Sequence, residues 1–125
     1  MSKTLLITGA SKGIGLATAK HFSHAGYDVV NVSRSPCTVD GAKNIAIDLL
    51  QADWLKNFAA PILSAVGEPE ELVLVHNAAI MTKETVSDVE AQSLRNVLEL
   101  NVVAAAQLNT LLICLLYTSP SPRDS

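Results

Sequence analysis

The sequence contains few aromatic residues, few cysteines and little net charge. Aromatic side chains make up 4% of the 125 residues, which excludes a surface built to stack nucleic-acid bases. Nine Lys and Arg residues stand against twelve Asp and Glu, so the net charge is −3. That balance provides neither the basic footprint of a nucleic-acid-binding domain nor a polybasic membrane anchor. Cys37 and Cys114 are too few for a disulfide scaffold.

Membrane-spanning and secretory segments are not evident in the sequence either. The uninterrupted apolar runs are well short of the roughly 18 residues that cross a bilayer as a helix. Met1–Thr4 leads directly into a short apolar segment without a signal-peptide cleavage site. Because 49% of the residues are apolar, a chain of this length can bury a core. We expect one cytoplasmic domain with no nucleic-acid or membrane partner.

Short β-rich segments alternate with longer helical segments along the chain. Strands are predicted over Lys3–Thr8, Asp28–Ser33, Asn44–Asp48 and Glu71–His76. Helices are predicted over about Ile14–His24 and Ala52–Val66, and from a capping box at Ser87–Glu90 to about Leu112. This alternation predicts an α/β fold with a doubly wound parallel sheet and right-handed crossovers.

The spacing of glycines is the strongest signal for a binding site. Gly9, Gly13 and Gly15 lie between the first strand and the first helix, where glycine permits positive φ and close approach of a ligand. The N-terminus of the helix offers free N–H groups and a positive dipole end to a pyrophosphate. A plain glycine-rich turn is the alternative, but the order of strand, motif and helix favours a nucleotide site. The candidate cofactor-binding residues here are Gly9, Ser11, Lys12, Gly13, Ile14 and Gly15.

With its glycines spaced G-x-x-x-G-x-G, the chain resembles the N-terminal half of a short-chain dehydrogenase/reductase from Lys3 to about Leu112. The spacing matches the compact members of that family rather than the extended ones. The resemblance implies a Rossmann-type, doubly wound parallel sheet, truncated here after about four strands. It also implies an enzyme, often a homo-oligomer, that transfers a hydride between a nicotinamide cofactor and a small carbonyl or alcohol substrate.

The end of the second strand bears on which nicotinamide cofactor binds. NAD-binding Rossmann domains usually carry an acid there for the ribose 2′-hydroxyl, whereas this sequence has Ser33 followed by Arg34. Arginine can bind a 2′-phosphate through two parallel hydrogen bonds, and Lys12 adds a second positive charge in the glycine loop. Each cation could be an ordinary surface residue, but their joint occurrence at two family positions favours NADP(H) over NAD(H).

Asp48 and Leu49 follow the third predicted strand. In the family, an Asp at this place binds the adenine amino group and the next residue assists through its backbone. A helix N-cap is the alternative role, since Asp favours that position. Both roles remain open from the sequence.

Asn77, Ala78 and Ala79 end the fourth predicted strand, where the family pattern is Asn-Asn-Ala-Gly. His76 replaces the first Asn and Ala79 replaces the Gly. The resemblance assigns Asn77, Ala78 and Ala79 to the cofactor site. His76 has no second ligand at a suitable spacing, so we predict a hydrogen-bonded structural residue and no metal site.

Asn101 lies in the middle of the last predicted helix, between apolar residues. In the family, an Asn in this Leu-Asn-Val context bends the helix and holds a water that leads to the catalytic Lys, so Asn101 is the candidate catalytic residue. A buried Asn without partners would cost about 1–3 kcal/mol. The alternative is a solvent-facing residue on an amphipathic helix.

The family's proton-transfer pair, a Tyr followed four residues later by a Lys, is missing. The tyrosines are Tyr27 and Tyr117, and no Lys follows Lys83. We therefore predict that the chain is inactive by itself and forms the cofactor-binding part of a longer enzyme. A non-catalytic Rossmann sensor that binds NADP(H) is the alternative.

Residues 114–125 differ in character from the rest and contain two Ser-Pro steps. They resemble the translated read-through of a sequencing-library adapter, whose codons spell Cys114–Asp124 in one frame; a disordered terminal tail is the alternative. We assign residues 1–113 to an incomplete NAD(P)-binding Rossmann domain and residues 114–125 to a non-native or disordered tail. On this hypothesis the chain as it stands could be a sequencing product.

Overall fold

The computed structural model describes residues 2–78 and 91–118 and has an α/β architecture. Its four strands are β1 (Lys3–Thr8), β2 (Asp28–Ser33), β3 (Lys43–Ala46) and β4 (Glu71–His76). Its helices are α1 (Gly13–His24), α2 (Trp54–Val66), α3 (Ala91–Leu98) and α4 (Ala105–Thr118), and a π-helical segment, Glu99–Ala104, joins the last two. The strands are all parallel in the order β3-β2-β1-β4, which confirms the predicted doubly wound sheet.

β1 is the central strand because its apolar run suits burial on both faces. Leu5, Leu6 and Ile7 are fully buried, as expected for a continuous hydrophobic strand in a parallel sheet. β1 pairs with β2 on one side and with β4 on the other. Thr8, its last residue, lies opposite Val32 and His76, so the carboxyl ends of three strands meet at one edge.

The two faces of the sheet pack against different helices. One face carries α2 and α4, whose buried residues join those of the sheet around Leu6, Val30 and Trp54. The other face carries α1, and its cluster contains Leu5, Ile7, Ala10, Ala19, Val29 and Cys37. Helices on both faces bury β1 completely, which is the layer arrangement of a Rossmann-type fold.

β3 ends two residues earlier than predicted. The predicted strand continued to Asp48, but the observed strand stops at Ala46. The reason is that its partner, β2, ends at Ser33, which pairs with Ala46. Ile47 still donates its backbone N–H to the Ser33 carbonyl at 3.1 Å, so the chain leaves the sheet directly after this contact and Asp48 lies in a turn.

The last helical region differs from the prediction in continuity and length. Its predicted capping box, Ser87–Glu90, lies outside the described residues. The π-helical segment interrupts the helix, and α4 continues to Thr118 rather than ending near Leu112. No Gly or Pro occurs between residues 112 and 118, so no backbone restriction ends the helix at the predicted place.

Among the helices of the described residues, one segment, Arg95–Ile113, is long and apolar enough to cross a membrane by length and composition. Core helices of soluble proteins satisfy the same criteria. Ala104, Leu108 and Leu112 from this segment are buried in the core with Trp54. Packing on the sheet accounts for only part of its apolar character, since 17% of the segment is buried.

Tyr27 connects the turn after α1 to the start of β4, and this contact predicts a pH dependence. Its hydroxyl donates a hydrogen bond to the Glu71 carboxylate, and the Lys3 ammonium lies 5.5 Å from its ring centroid. The hydrogen bond to Glu71, then burial and the Glu71 charge, raise the pKa of Tyr27 above 10.0. The folded chain therefore prefers the neutral phenol, and this stabilisation is complete below pH 10.0 and lost as the pH rises through the folded pKa.

We expect Tyr27→Phe to remove this alkaline component of stability. Urea unfolding between about pH 9 and about pH 11 should show a smaller decline for the variant than for the unmodified chain. An equal decline in both would mean that the Tyr27 phenol does not account for the alkaline loss.

Candidate nucleotide-binding site

A cavity of about 420 Å3 opens at the carboxyl ends of the strands. It lies where the chain order reverses, since β1 leads to β2 and β3 on one side and β4 returns to the other. Ligands of open α/β sheets bind at such a switch point. The cavity is lined by Gly9, Ser11, Lys12, Gly13, Val32, Ser33, Arg34, Ile47, Asp48, Leu49, Leu50, Asn77, Ala78 and Leu100.

The glycine loop is held against β2 and begins α1 beside the cavity. Gly9 and Gly13 have φ values of +73° and +62°, a region that side chains disfavour. The Gly9 N–H donates to the Val32 carbonyl at 3.1 Å. A Cβ built at Gly13 would meet no atom within 4 Å, so the loop presents its backbone to open space. This arrangement suits the close approach of a phosphate.

Gly15 is required for a different reason, namely the close packing of α1 on the loop and on β4. A Cβ at Gly15 would lie 2.1 Å from the Gly9 carbonyl oxygen and 2.5 Å from the Asn77 Nδ2. The helix can therefore approach the sheet this closely only with glycine here. Gly15 is buried and lies behind the cavity wall.

Thr8 and Asn77 join the end of β1 to the end of β4. The Thr8 Oγ1 accepts hydrogen bonds from the backbone N–H of Asn77 at 3.1 Å and of Ala78 at 3.0 Å. The Asn77 Nδ2 donates to the Gly9 carbonyl at 2.9 Å. One hydroxyl and one amide thus fix the chain after β4 beside the glycine loop.

The two cations predicted to favour NADP(H) line the same cavity. Lys12 comes from the glycine loop, and Arg34 directly follows β2. Ser33 also lines the cavity, and its Oγ accepts a hydrogen bond from the Ser35 N–H at 3.3 Å, which shapes the turn that carries Arg34. The cavity therefore combines a glycine-rich backbone with positive charge, a suitable environment for phosphate groups.

Asp48 is not a helix N-cap. Its Oδ1 accepts a hydrogen bond from the Leu50 N–H at 3.0 Å, a turn-forming contact two residues along the chain. α2 begins only at Trp54, after Asp53. The N-cap alternative for Asp48 is therefore wrong, and both Asp48 and Leu49 line the cavity.

The structure brings most of the predicted cofactor residues together at this cavity: Gly9, Ser11, Lys12, Gly13, Ser33, Arg34, Asp48, Leu49, Asn77 and Ala78. Ile14 is 79% exposed and does not line it. Ala79 lies outside the described residues. The contacts of all these residues with a cofactor stay a prediction.

Asn101 lies in the π-helical segment and is exposed rather than buried. The irregular helix does occur around it, and the preceding residue, Leu100, lines the cavity. A π turn takes in an additional residue, which re-aims the side chains around Asn101 relative to a regular helix. Its role in catalysis remains a prediction.

His76 has the predicted hydrogen-bonded role. Its Nε2 lies 2.7 Å from the Oδ1 of Asn109 on α4, so it links the end of β4 to that helix. No group of three or more His, Cys, Asp or Glu side chains in the part of the chain that the structure describes could hold a metal ion.

Several residues of the site carry little functional signal in the sequence. Thr8 is the one with a weak indication of its role, since a hydroxyl at the end of a buried strand needs hydrogen-bond partners. Val32, Ile47, Leu50 and Leu100 line the cavity as apolar surface. Their pattern in the sequence is that of ordinary core residues, so only the fold reveals their position.

Comparison with known proteins identifies the family. The family model for short chain dehydrogenase matches residues 3–121, and the chain belongs to this family. L-xylulose reductase of Mesocricetus auratus is 35% identical over 111 residues, which cover 83% of this chain and 43% of the relative. The NADPH-dependent pterin aldehyde reductase of Arabidopsis thaliana is 26% identical over 118 residues, covering 86% and 48%.

A solved structure agrees with these matches. The 3-ketoacyl-(acyl-carrier-protein) reductase of Brucella melitensis, complexed with NADH, has a TM-score of 0.76 and 29% identity over 89% of this chain and 49% of its own. The chain spans less than half the length of the curated relatives it matches. The matches therefore define the family of the chain and the fold of its described part.

Substitution of Gly15 by Ala tests the close packing at the loop. We expect a loss of about 3 kcal/mol or more in the free energy of unfolding, because the new methyl must displace the Gly9 carbonyl. Gly41→Ala is the matched control. Gly41 has a φ of +77°, but a Cβ there would meet no atom within 4 Å. The substitution should therefore cost only about 1–2 kcal/mol of backbone strain. Urea titrations of both variants measure the difference, and equal losses would contradict this account of Gly15.

Proposed function

We propose that the chain is the N-terminal, cofactor-binding part of an NADP(H)-dependent short-chain oxidoreductase. The complete enzyme passes a hydride between nicotinamide and a small carbonyl or alcohol substrate. The observation that carries the proposal is that Lys12 and Arg34 line one cavity, while the carboxyl end of β2 carries Ser33 rather than an acid. The reductase names of the relatives support the reaction class.

The residues present fit a dinucleotide. The open backbone of Gly13, at the start of α1, supports a pyrophosphate site. Asp48 and Leu49 provide a polar and apolar surface for adenine, and Arg34 offers paired donors to a 2′-phosphate. When bound, the cofactor supplies the hydride chemistry, and the chain's own residues bind and orient it.

The proton-transfer step belongs to residues beyond this chain. Tyr27 precedes β2 at its amino end, and β2 spans about 20 Å, whereas the cavity lies at the carboxyl ends. Its hydroxyl is engaged with Glu71. We therefore propose that the chain alone binds cofactor without turning over substrate, and that Asn101 acts in the complete enzyme as a positioning residue. A cytoplasmic homo-oligomer is part of the same proposal.

The continuation of the gene past the Ile113 codon tests the domain assignment. We expect uninterrupted genomic sequence to replace Cys114–Ser125 and to encode a Ser and then a Tyr-x-x-x-Lys pair. A continuation without that pair would favour the NADP(H)-binding sensor. A genomic sequence that keeps Cys114–Ser125 and stops would overturn the assignment of residues 114–125 to an adapter.

Arg34→Ala in the complete protein tests the cofactor assignment. Because a charged hydrogen bond contributes about 1.5–3 kcal/mol, the Kd for NADPH should rise by about tenfold to a hundredfold. The Kd for NADH, which lacks the 2′-phosphate, should change by less than about threefold. Fluorescence titration with each cofactor measures both.

Arg95→Ala provides the matched control, since Arg95 is an exposed cation on α3 and does not line the cavity. It should leave the ratio of the two dissociation constants unchanged. Equal weakening of NADPH and NADH by Arg34→Ala would remove the 2′-phosphate assignment.

A further inference from the structure

A buried amide lies in the middle of β2, among aliphatic side chains. Asn31 is 0% exposed and is paired in the sheet with Ile7 of β1 and Asn44 of β3. Burial of a polar side chain is costly unless each of its polar atoms finds a partner. The partners of Asn31 therefore indicate what the residue contributes.

Three hydrogen bonds satisfy the Asn31 amide, and two of them reach loops. Its Oδ1 accepts from the Ala10 N–H at 3.0 Å. Its Nδ2 donates to the Ser35 carbonyl at 3.2 Å and to the Asn44 Oδ1 at 3.0 Å. Ala10 belongs to the glycine loop, and Ser35 belongs to the turn that follows β2. One side chain thus joins the two loops.

Asn44 extends the network on the edge strand. Its Oδ1 also accepts from the Cys37 N–H at 2.7 Å, and its Nδ2 lies 3.4 Å from the Cys37 carbonyl. Cys37 is buried, so this contact anchors the far side of the turn. The pair Asn31 and Asn44 therefore holds the turn at both Ser35 and Cys37.

The two loops joined by Asn31 each carry one of the cavity cations. Lys12 follows Ala10 by two residues, and Arg34 directly precedes Ser35. Both cations line the cavity. A phosphate that contacts both needs their separation to be fixed in advance, since ordering them on binding would reduce the affinity.

We propose that Asn31, supported by Asn44, is a positioning residue that sets the preference for NADP(H) over NAD(H) by fixing the glycine loop relative to the Arg34 turn. The inference rests on the proposed function, because it presupposes a 2′-phosphate between these loops. Asn31 itself does not line the cavity.

Asn31→Leu in the complete protein tests this role, with titrations of NADPH and NADH. Leucine has a similar size but cannot pair with the Ala10 N–H or the Ser35 carbonyl. We expect the ratio of the NADH to the NADPH dissociation constant to fall by about tenfold. Val29→Ala is the matched control, because Val29 is buried on the same strand and face without a side-chain hydrogen bond to either loop. It should lower the Tm and leave the ratio unchanged.

Asn44→Ala keeps the test decisive if Asn31→Leu does not fold. Asn44 lies exposed on the edge strand, so its truncation spares the core but removes a partner of Asn31 and both contacts to Cys37. The ratio should fall in the same direction, by about threefold.

The outcomes separate this inference from the one on which it rests. A lower Tm with an unchanged ratio in the foldable variants would overturn the positioning role and leave the NADP(H) assignment intact. An unmodified protein that shows no preference for NADPH would overturn the cofactor assignment, and the positioning role with it.

Discussion

The central position of β1 is the constraint on which the rest of the structure depends. Its backbone pairs with β2 and β4, and its side chains Leu5, Leu6 and Ile7 are fully buried on both faces. Because β1 is paired on both edges and covered on both faces, the chain can reach the next element only from the carboxyl end of the strand. The chain does so at Gly9, where positive φ turns it toward α1.

The cavity follows from that exit. β2 and β4 end beside β1, so the segments that leave all three strands are neighbours. Thr8 links the end of β1 to the segment after β4 through two backbone N–H groups. α1 can then pack closely because Gly15 has no side chain. The site is thus formed mainly by backbone and by short polar side chains, which suits a ligand rich in phosphate and hydroxyl groups.

Features encoded in local sequence could be predicted, and features that depend on contacts between strands could not. The apolar run before Gly9 and the glycine spacing predicted β1, α1 and the loop between them within a residue or so. The end of β3 depends instead on where its partner β2 ends, at Ser33. The Leu-Asn-Val context implied an irregular helix at Asn101, and a π-helical segment occurs there, but the sequence left open whether Asn101 is buried or exposed.

Asn31 is the clearest example of a feature that depends on contacts between strands. Its position in the segment DVVNVS gives no indication that it is buried, since a polar residue inside a strand more often faces solvent. Only the register, which places Asn44 beside it and Ala10 above it, shows that its amide is fully paired. The local sequence therefore indicates the two cations but not the side chain that joins their loops.

A neutral amide suits the positioning role better than a charged residue. An acid at position 31 could accept from the Ala10 N–H, but it could not donate to the Ser35 carbonyl, and its charge would repel a 2′-phosphate. It would also be costly to bury in an aliphatic cluster. An amide donates and accepts at once, so it can join the N–H of one loop to the carbonyl of the other while leaving the positive field of the cavity unchanged.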